Sequence, residues 1–177
     1  MPGRTSRASR RPEPRRPETL HQHRLTRELP YAPEDVFELV ADVRSYPQFV
    51  RWITELRTWG RRELAPGVER LDAEATVRFG PLSERFATRV NIDRPALAVD
   101  VALISGPFKR LENHWRFAAR PGGSQLSFEI DFEFTSHLLE GLLAANFDRA
   151  ADTLVRCFEV RADQLYGGGE WTRPTGS

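Results

Sequence analysis

The stretch LSFEIDFEF, Leu126 to Phe134, alternates without a break, with Leu126, Phe128, Ile130, Phe132 and Phe134 on one side and Ser127, Glu129, Asp131 and Glu133 on the other. Successive side chains of a strand point to opposite faces, so this is a strand with one dry face and one wet face, as in an antiparallel sheet. The acidic triplet on the wet side reads as a solvated charge row. Directly after it the period changes. Leu139, Leu143, Phe147, Ala150, Leu154, Phe158, Ala162 and Leu165 recur at spacings of three and four, which predicts one amphipathic helix from Leu139 to Gln164.

The same two-residue period extends back through the chain. Leu71, Ala73, Ala75, Val77 and Phe79 share one face of a strand, followed after a Gly-Pro turn by Phe86, Thr88, Val90 and Ile92. Val99, Val101 and Leu103 form the next row, then Leu111, Asn113, Trp115 and Phe117, ending at a Gly-Gly turn. A less regular strand runs from about Ile53 to Glu63, and RLTREL from Arg24 reads as the first. Between these two, APEDVFELVADV places Val36, Phe37, Leu39 and Val40 on one helix face with Pro33 in its first turn. SYPQF is a second helical turn interrupted by Pro47. The order is strand, two short helices, six strands, long helix. That predicts an α+β fold in which a curved seven-stranded antiparallel sheet grips a C-terminal helix.

Composition narrows the function classes. A chain of 177 residues with 40% hydrophobic residues suits one soluble globular domain. No apolar run approaches the ~18 residues of a membrane span. A single cysteine, Cys157, permits no intrachain disulfide and no cysteine-cluster metal site; it reads as a small packing residue in a reducing compartment. The net charge of +1 is uneven: residues 1 to 24 hold seven Arg and two Glu, +5, which leaves −4 for residues 25 to 177. An acidic body argues against DNA as a partner. Residues 1–22, rich in Arg, Pro and Ser, read as a disordered basic arm, residues 23–167 as the folded domain and residues 168–177 as a flexible tail.

Catalytic signatures are missing from this reading. There is no nucleophile elbow and no phosphate loop, and His21, His23, His114 and His137 form no ligand cluster, although His21-Gln22-His23 in the arm suits weak metal contact. The expectation is no catalytic residue, no structural metal and no catalytic cofactor. The small inward residues Ala73, Ala75 and Thr88 on the sheet, with Ala150 and Ala151 on the helix, predict instead a cavity between sheet and helix. Asn113, an amide in an apolar row, needs a partner there.

Three runs carry a family resemblance: LPYAPEDVFELVADVRSYPQF, GPFKRLENHWRF, and LLEGLLAANFDRAADTLVRCFEVRADQLYG. Together, over roughly Arg24 to Gly167, they resemble the START-like coenzyme Q-binding proteins of the polyketide cyclase/dehydrase superfamily. The resemblance implies the helix-grip fold, an apolar tunnel and ubiquinone as bound ligand, in a non-enzymatic lipid chaperone supporting respiratory electron transport and quinone synthesis. It implies a cytoplasmic protein at the inner membrane of a bacterium, or a protein of the mitochondrial inner membrane in a eukaryote. Its alternatives are a ribosome-associating toxin that blocks subunit joining, the related bacterial branch, and a polyketide cyclase-like enzyme. Arg51 stands where the family pattern has proline.

The tunnel candidates are Phe37, Tyr46, Phe49, Trp52, Ala75, Phe86, Val101, Leu103, Asn113, Trp115, Phe128 and Phe147. Phe108, Lys109 and Arg110, at the Gly106-Pro107 turn, are the candidates for contact with a membrane or a lipid headgroup, an aromatic wedge beside two cations.

Overall fold

The computed structural model describes residues 20–143 and 146–167. Seven strands, β1 (His21–Leu29), β2 (Ile53–Ala65), β3 (Val68–Phe79), β4 (Leu82–Asp93), β5 (Ala98–Ser105), β6 (Phe108–Arg120) and β7 (Gly123–Phe134), form one antiparallel sheet in the order β1-β7-β6-β5-β4-β3-β2. Helix α1 (Pro33–Ala41) and a 3-10 helix (Val43–Gln48) link β1 to β2, and α2 (His137–Leu143) and α3 (Phe147–Tyr166) follow β7. This is the helix-grip arrangement that the periodicity predicts.

Strand β1 begins at His21, before the predicted start at Arg24, so the last residues assigned to the arm belong to the sheet. The remainder of the arm, residues 1–19, and the tail, residues 168–177, lie outside the described residues. The helix expected as one piece is described as two. On α3 the buried residues are Ala151, Val155, Phe158 and Ala162, while Leu165 is 49% exposed and Leu154 only partly covered. The core-facing stripe is thus rotated from the predicted one: Leu154 borders an open space and Leu165 faces solvent.

That space is confined to one end of the sheet. At the other end α1 seats its Phe37 edge-on to Phe117, ring centroids 5.9 Å apart, amid Val36, Val40, Leu126, Ile92 and Val99, all fully buried. Glu38 and Glu69 both pair with Arg94, at 2.9 and 3.0 Å, and tie α1 to the sheet. Tyr31 donates to Asp163 at 2.6 Å and Tyr166 to the Asp35 carbonyl at 3.2 Å, fixing the C-terminal end of α3. Gly123 runs against β1 so closely that a Cβ there would lie 1.9 Å from the Leu29 carbonyl oxygen.

At the cavity end lie the β3–β4 and β5–β6 turns, the start of β1, α2 and the first turn of α3. Gly106 closes the β5–β6 turn with φ 145°, and a Cβ there would meet the Phe86 Cβ at 2.5 Å. A register shift between Phe108 and Arg110 reverses the facing of the first residues of β6. Phe108 consequently turns inward, stacked on Phe134 (5.1 Å) and edge-on to Phe86 (5.6 Å), and is not the outward wedge expected at the Gly106-Pro107 turn. Lys109 turns outward and pairs with Glu133 at 2.5 Å. Glu133 is therefore buried under a salt bridge, a correction to the solvated row; Glu129 in the same row is exposed.

Candidate functional site

An apolar cavity of about 290 Å³ lies between the sheet and α3. The sheet supplies its floor with Leu56, Ala73, Ala75, Val77, Phe86, Thr88, Val101, Leu111, Trp115, Phe128 and Ile130. Tyr46 and Trp52 close one flank, and Leu139, Phe147, Ala150, Ala151 and Leu154 form the helical wall. All five small residues named from sequence, Ala73, Ala75, Thr88, Ala150 and Ala151, line it. They leave the volume unfilled because the curved sheet holds the helix off at this end.

Of the tunnel candidates, Tyr46, Trp52, Ala75, Phe86, Val101, Asn113, Trp115, Phe128 and Phe147 line the cavity. Phe37 does not; it belongs to the solid core under α1. Phe49 packs edge-on against Phe158 at 5.1 Å with the Arg161 guanidinium over its ring at 5.7 Å, and Leu103 packs on the core outside the cavity lining. Leu56, Leu139 and Leu154 were missed: β2 is irregular, with three register shifts, and helical facing depends on where the sheet stands off.

The polar groups are few. Tyr46 donates its hydroxyl to the Val40 carbonyl at 2.5 Å, and burial, helped by the nearby Asp42 carboxylate, pushes its phenol far up. Asn113 accepts from the Trp115 indole N–H through Oδ1 at 3.1 Å. An indole can only donate, so this bond fixes the amide orientation and leaves the Asn113 NH₂ as a donor on the cavity wall. Glu84 and Asn146 stand at the rim. The ionisable groups of the described lining are thus Glu84 and the hydrogen-bonded Tyr46.

The loop around Arg51 closes without the family proline, through Val50 N–H to Tyr46 O at 2.8 Å and Ile53 N–H to Val50 O at 3.0 Å. Arg51 is exposed beside Trp52. Burial pushes the Cys157 thiol up and the Arg51 charge only partly offsets this, so Cys157 is no activated nucleophile. His21 and His23 engage different carboxylates, and among the described residues no group of three His, Cys, Asp or Glu converges as a metal site.

At the rim, the Trp52 and Phe79 rings stack at 6.4 Å. Phe79 is 37% and Ile104 43% exposed. Arg51 and Arg78, both exposed, form no ion pair among the described residues, and the Arg78 N–H bonds the Trp52 carbonyl at 2.8 Å. Among the described residues no helix is long and apolar enough to cross a membrane.

The sheet grips a helix over an apolar cavity, and residues 29–159 match the family model for polyketide cyclase / dehydrase and lipid transport. The chain belongs to that family. It is 33% identical over 143 residues to the ribosome association toxin RatA of Rickettsia prowazekii, covering 79% of this chain and 94% of that one. It is also 33% identical over 147 residues to the mitochondrial coenzyme Q-binding protein COQ10 homolog B of Xenopus laevis, covering 80% of this chain and 58% of that one. The solution structure of an 18 kDa protein from Caulobacter crescentus superposes with a TM-score of 0.71 at 52% identity, over 83% of this chain and 99% of the other.

Proposed function

We propose that this protein binds a prenylated quinone of the ubiquinone type in the cavity and carries it, without chemical change, at a membrane surface in support of respiratory electron transport and quinone synthesis. The observation that carries this reading is the Asn113 NH₂, a donor fixed by the Trp115 bond on a largely apolar wall, suited to a quinone carbonyl. At ~30 Å³ per water, the cavity holds on the order of ten water volumes, close to the lower end of ligand pockets. That suits a ring and the first part of a tail, the rest leaving through the rim. Each buried CH₂ contributes about 0.8 kcal/mol. The relative named as a coenzyme Q-binding protein supports the same ligand class. A binding role also suits the lining, since a lone Glu84 at the rim does not supply the acid and base of a cyclisation.

Because Phe108 faces inward, we assign the membrane contact to the rim in place of Phe108, Lys109 and Arg110. Phe79 and Ile104 enter the acyl boundary while Arg51 and Arg78 meet anionic headgroups. The protein then works at the inner face of a bacterial cytoplasmic membrane, or on a mitochondrial inner membrane. Mass spectrometry of lipid extracted from the purified protein, with thermal shifts on adding decylubiquinone, tests the ligand; no quinone and no shift would sink it. Asn113→Leu is expected to weaken decylubiquinone more than an alkane-tailed analogue lacking the ring carbonyls. Phe79→Ser with Ile104→Ser is expected to weaken sedimentation with anionic liposomes while the melting temperature holds.

The second reading, ribosome association, draws on the toxin relative and its 94% coverage, together with the +5 charge of residues 1 to 24. Co-sedimentation with isolated large ribosomal subunits, with and without the arm, tests it.

A further inference from the structure

The inward row of β1 is polar where it crosses the helices. His21 stacks on Phe132 at 4.9 Å and brings its Nε2 within 3.5 Å of Glu140 on α2. His137 lies 3.6 Å from the other Glu140 oxygen. His23 stands between two carboxylates of α3, with Nδ1 3.0 Å from Asp148 and Nε2 3.5 Å from Asp152. Arg27 completes the row, 3.4 Å from Asp152 and 3.3 Å from Glu159. From β7 the group facing His21 is the apolar ring of Phe132.

The Nε2 atoms of His21 and His23 are buried and lack a hydrogen bond within the described residues. A neutral imidazole has one N–H and one lone pair. If the His23 Nδ1–H serves Asp148, its buried Nε2 lone pair faces the Asp152 oxygen, acceptor against acceptor, while both carboxylates also reach solvent. The other tautomer sets the lone pair against Asp148. Only the imidazolium donates to both. At His21, only an Nε2–H suits Glu140. Arg27 stays charged throughout, so the proton-sensitive part of the row is the histidine pair.

The carboxylates sit on the helical wall of the cavity. Asp148 follows Phe147, whose ring centroid is 3.7 Å from that of Phe132, and Leu139 adjoins Glu140; Leu139 and Phe147 both line the cavity. We propose that His23, assisted by His21, is a proton-operated latch: protonated, it ties α2 and the first turn of α3 to β1 over the cavity, and deprotonated, it releases them so that an apolar guest exchanges. The latch goes beyond the quinone reading and does not depend on the identity of the guest.

The test uses the full chain and the neutral dye N-phenyl-1-naphthylamine, transferred from the protein to excess phosphatidylcholine vesicles in stopped flow. Amide-exchange protection factors of α2 and the start of α3 give a readout without any ligand. From about pH 5 to about pH 8 the transfer rate is expected to rise, and the protection to fall, by on the order of tenfold, as one charge-assisted bond is lost. The double variant His21→Gln, His23→Gln is expected to be fast and flat across that range. His23→Arg, a permanent cation, is expected to stay slow at both ends, which a merely structural role for the ring would not give. Side-chain nitrogen resonances are expected to show His23 doubly protonated at the acid end. A wild-type protection profile flat with pH, a glutamine variant that keeps the wild-type step, or a neutral His23 at pH 5 would overturn the latch.

Discussion

The two ends of α3 are held by different chemistry. At its C-terminal end Tyr31 and Tyr166 donate phenolic hydrogens to Asp163 and to the Asp35 carbonyl. The hydrogen bond to Asp163 holds the Tyr31 phenol above its ordinary range, with burial and the carboxylate charge adding to the shift, so this contact is indifferent to pH near neutrality. At the N-terminal end the contacts are imidazole–carboxylate pairs. Packing differs in step: beneath the phenols, Phe37, Phe117 and Leu126 fill the space, whereas beneath the imidazoles Ala75, Ala150 and Thr88 leave it open. One helix therefore serves as a fixed core element at one end and as an adjustable wall at the other.

The largest expected effect is at the solid end. Phe37→Ala should cost about 3–5 kcal/mol in urea unfolding, since its neighbours cannot collapse into the hole. A loss near 1 kcal/mol would mean the end under α1 is no better packed than the cavity. A paired insertion sharpens the contrast: Ala162→Leu, in the filled region, should cost about 1–3 kcal/mol by overpacking. Ala75→Leu, pointing into open volume, should cost less than ~1 kcal/mol while abolishing uptake of an apolar dye. Equal costs would break the comparison. Asn113→Leu should lose about 1–3 kcal/mol, because the buried Trp115 indole N–H is left unpaired. The smallest effect is expected for Glu129→Gln on the exposed face, under ~0.5 kcal/mol, its partner Arg24 being equally solvated.

Element type, antiparallel pairing and most of the cavity floor were legible because alternation fixes facing wherever one side of a strand is dry. Ala73, Ala75, Trp115 and Phe128 follow directly from that period. The turn reading of Phe108 failed, because a register shift turns it inward and no residue type announces the shift. Glu133 was misread because its pairing with Lys109 across two strands leaves no mark in the sequence. His21 and His23 read as arm residues: the inner row of β1 interleaves Leu25 and Leu29 with His21, His23 and Arg27, and the carboxylates of α3 account for the polar members. The helix stripe was legible in spacing but not in phase, which the standing-off of the sheet decides.

The pairing of β1 with β7 has a consequence for synthesis. His21 meets Phe132, about 110 residues later, so at ~5–20 residues per second β1 emerges several seconds before its partner exists. A strand of alternating apolar residues would spend that interval as a template for other chains. HQHRLTREL carries two leucines among two arginines, two histidines and a glutamate, and so waits in water as a charged, soluble thread. The residues that work the latch in the finished domain are also those that keep the nascent chain from sticking.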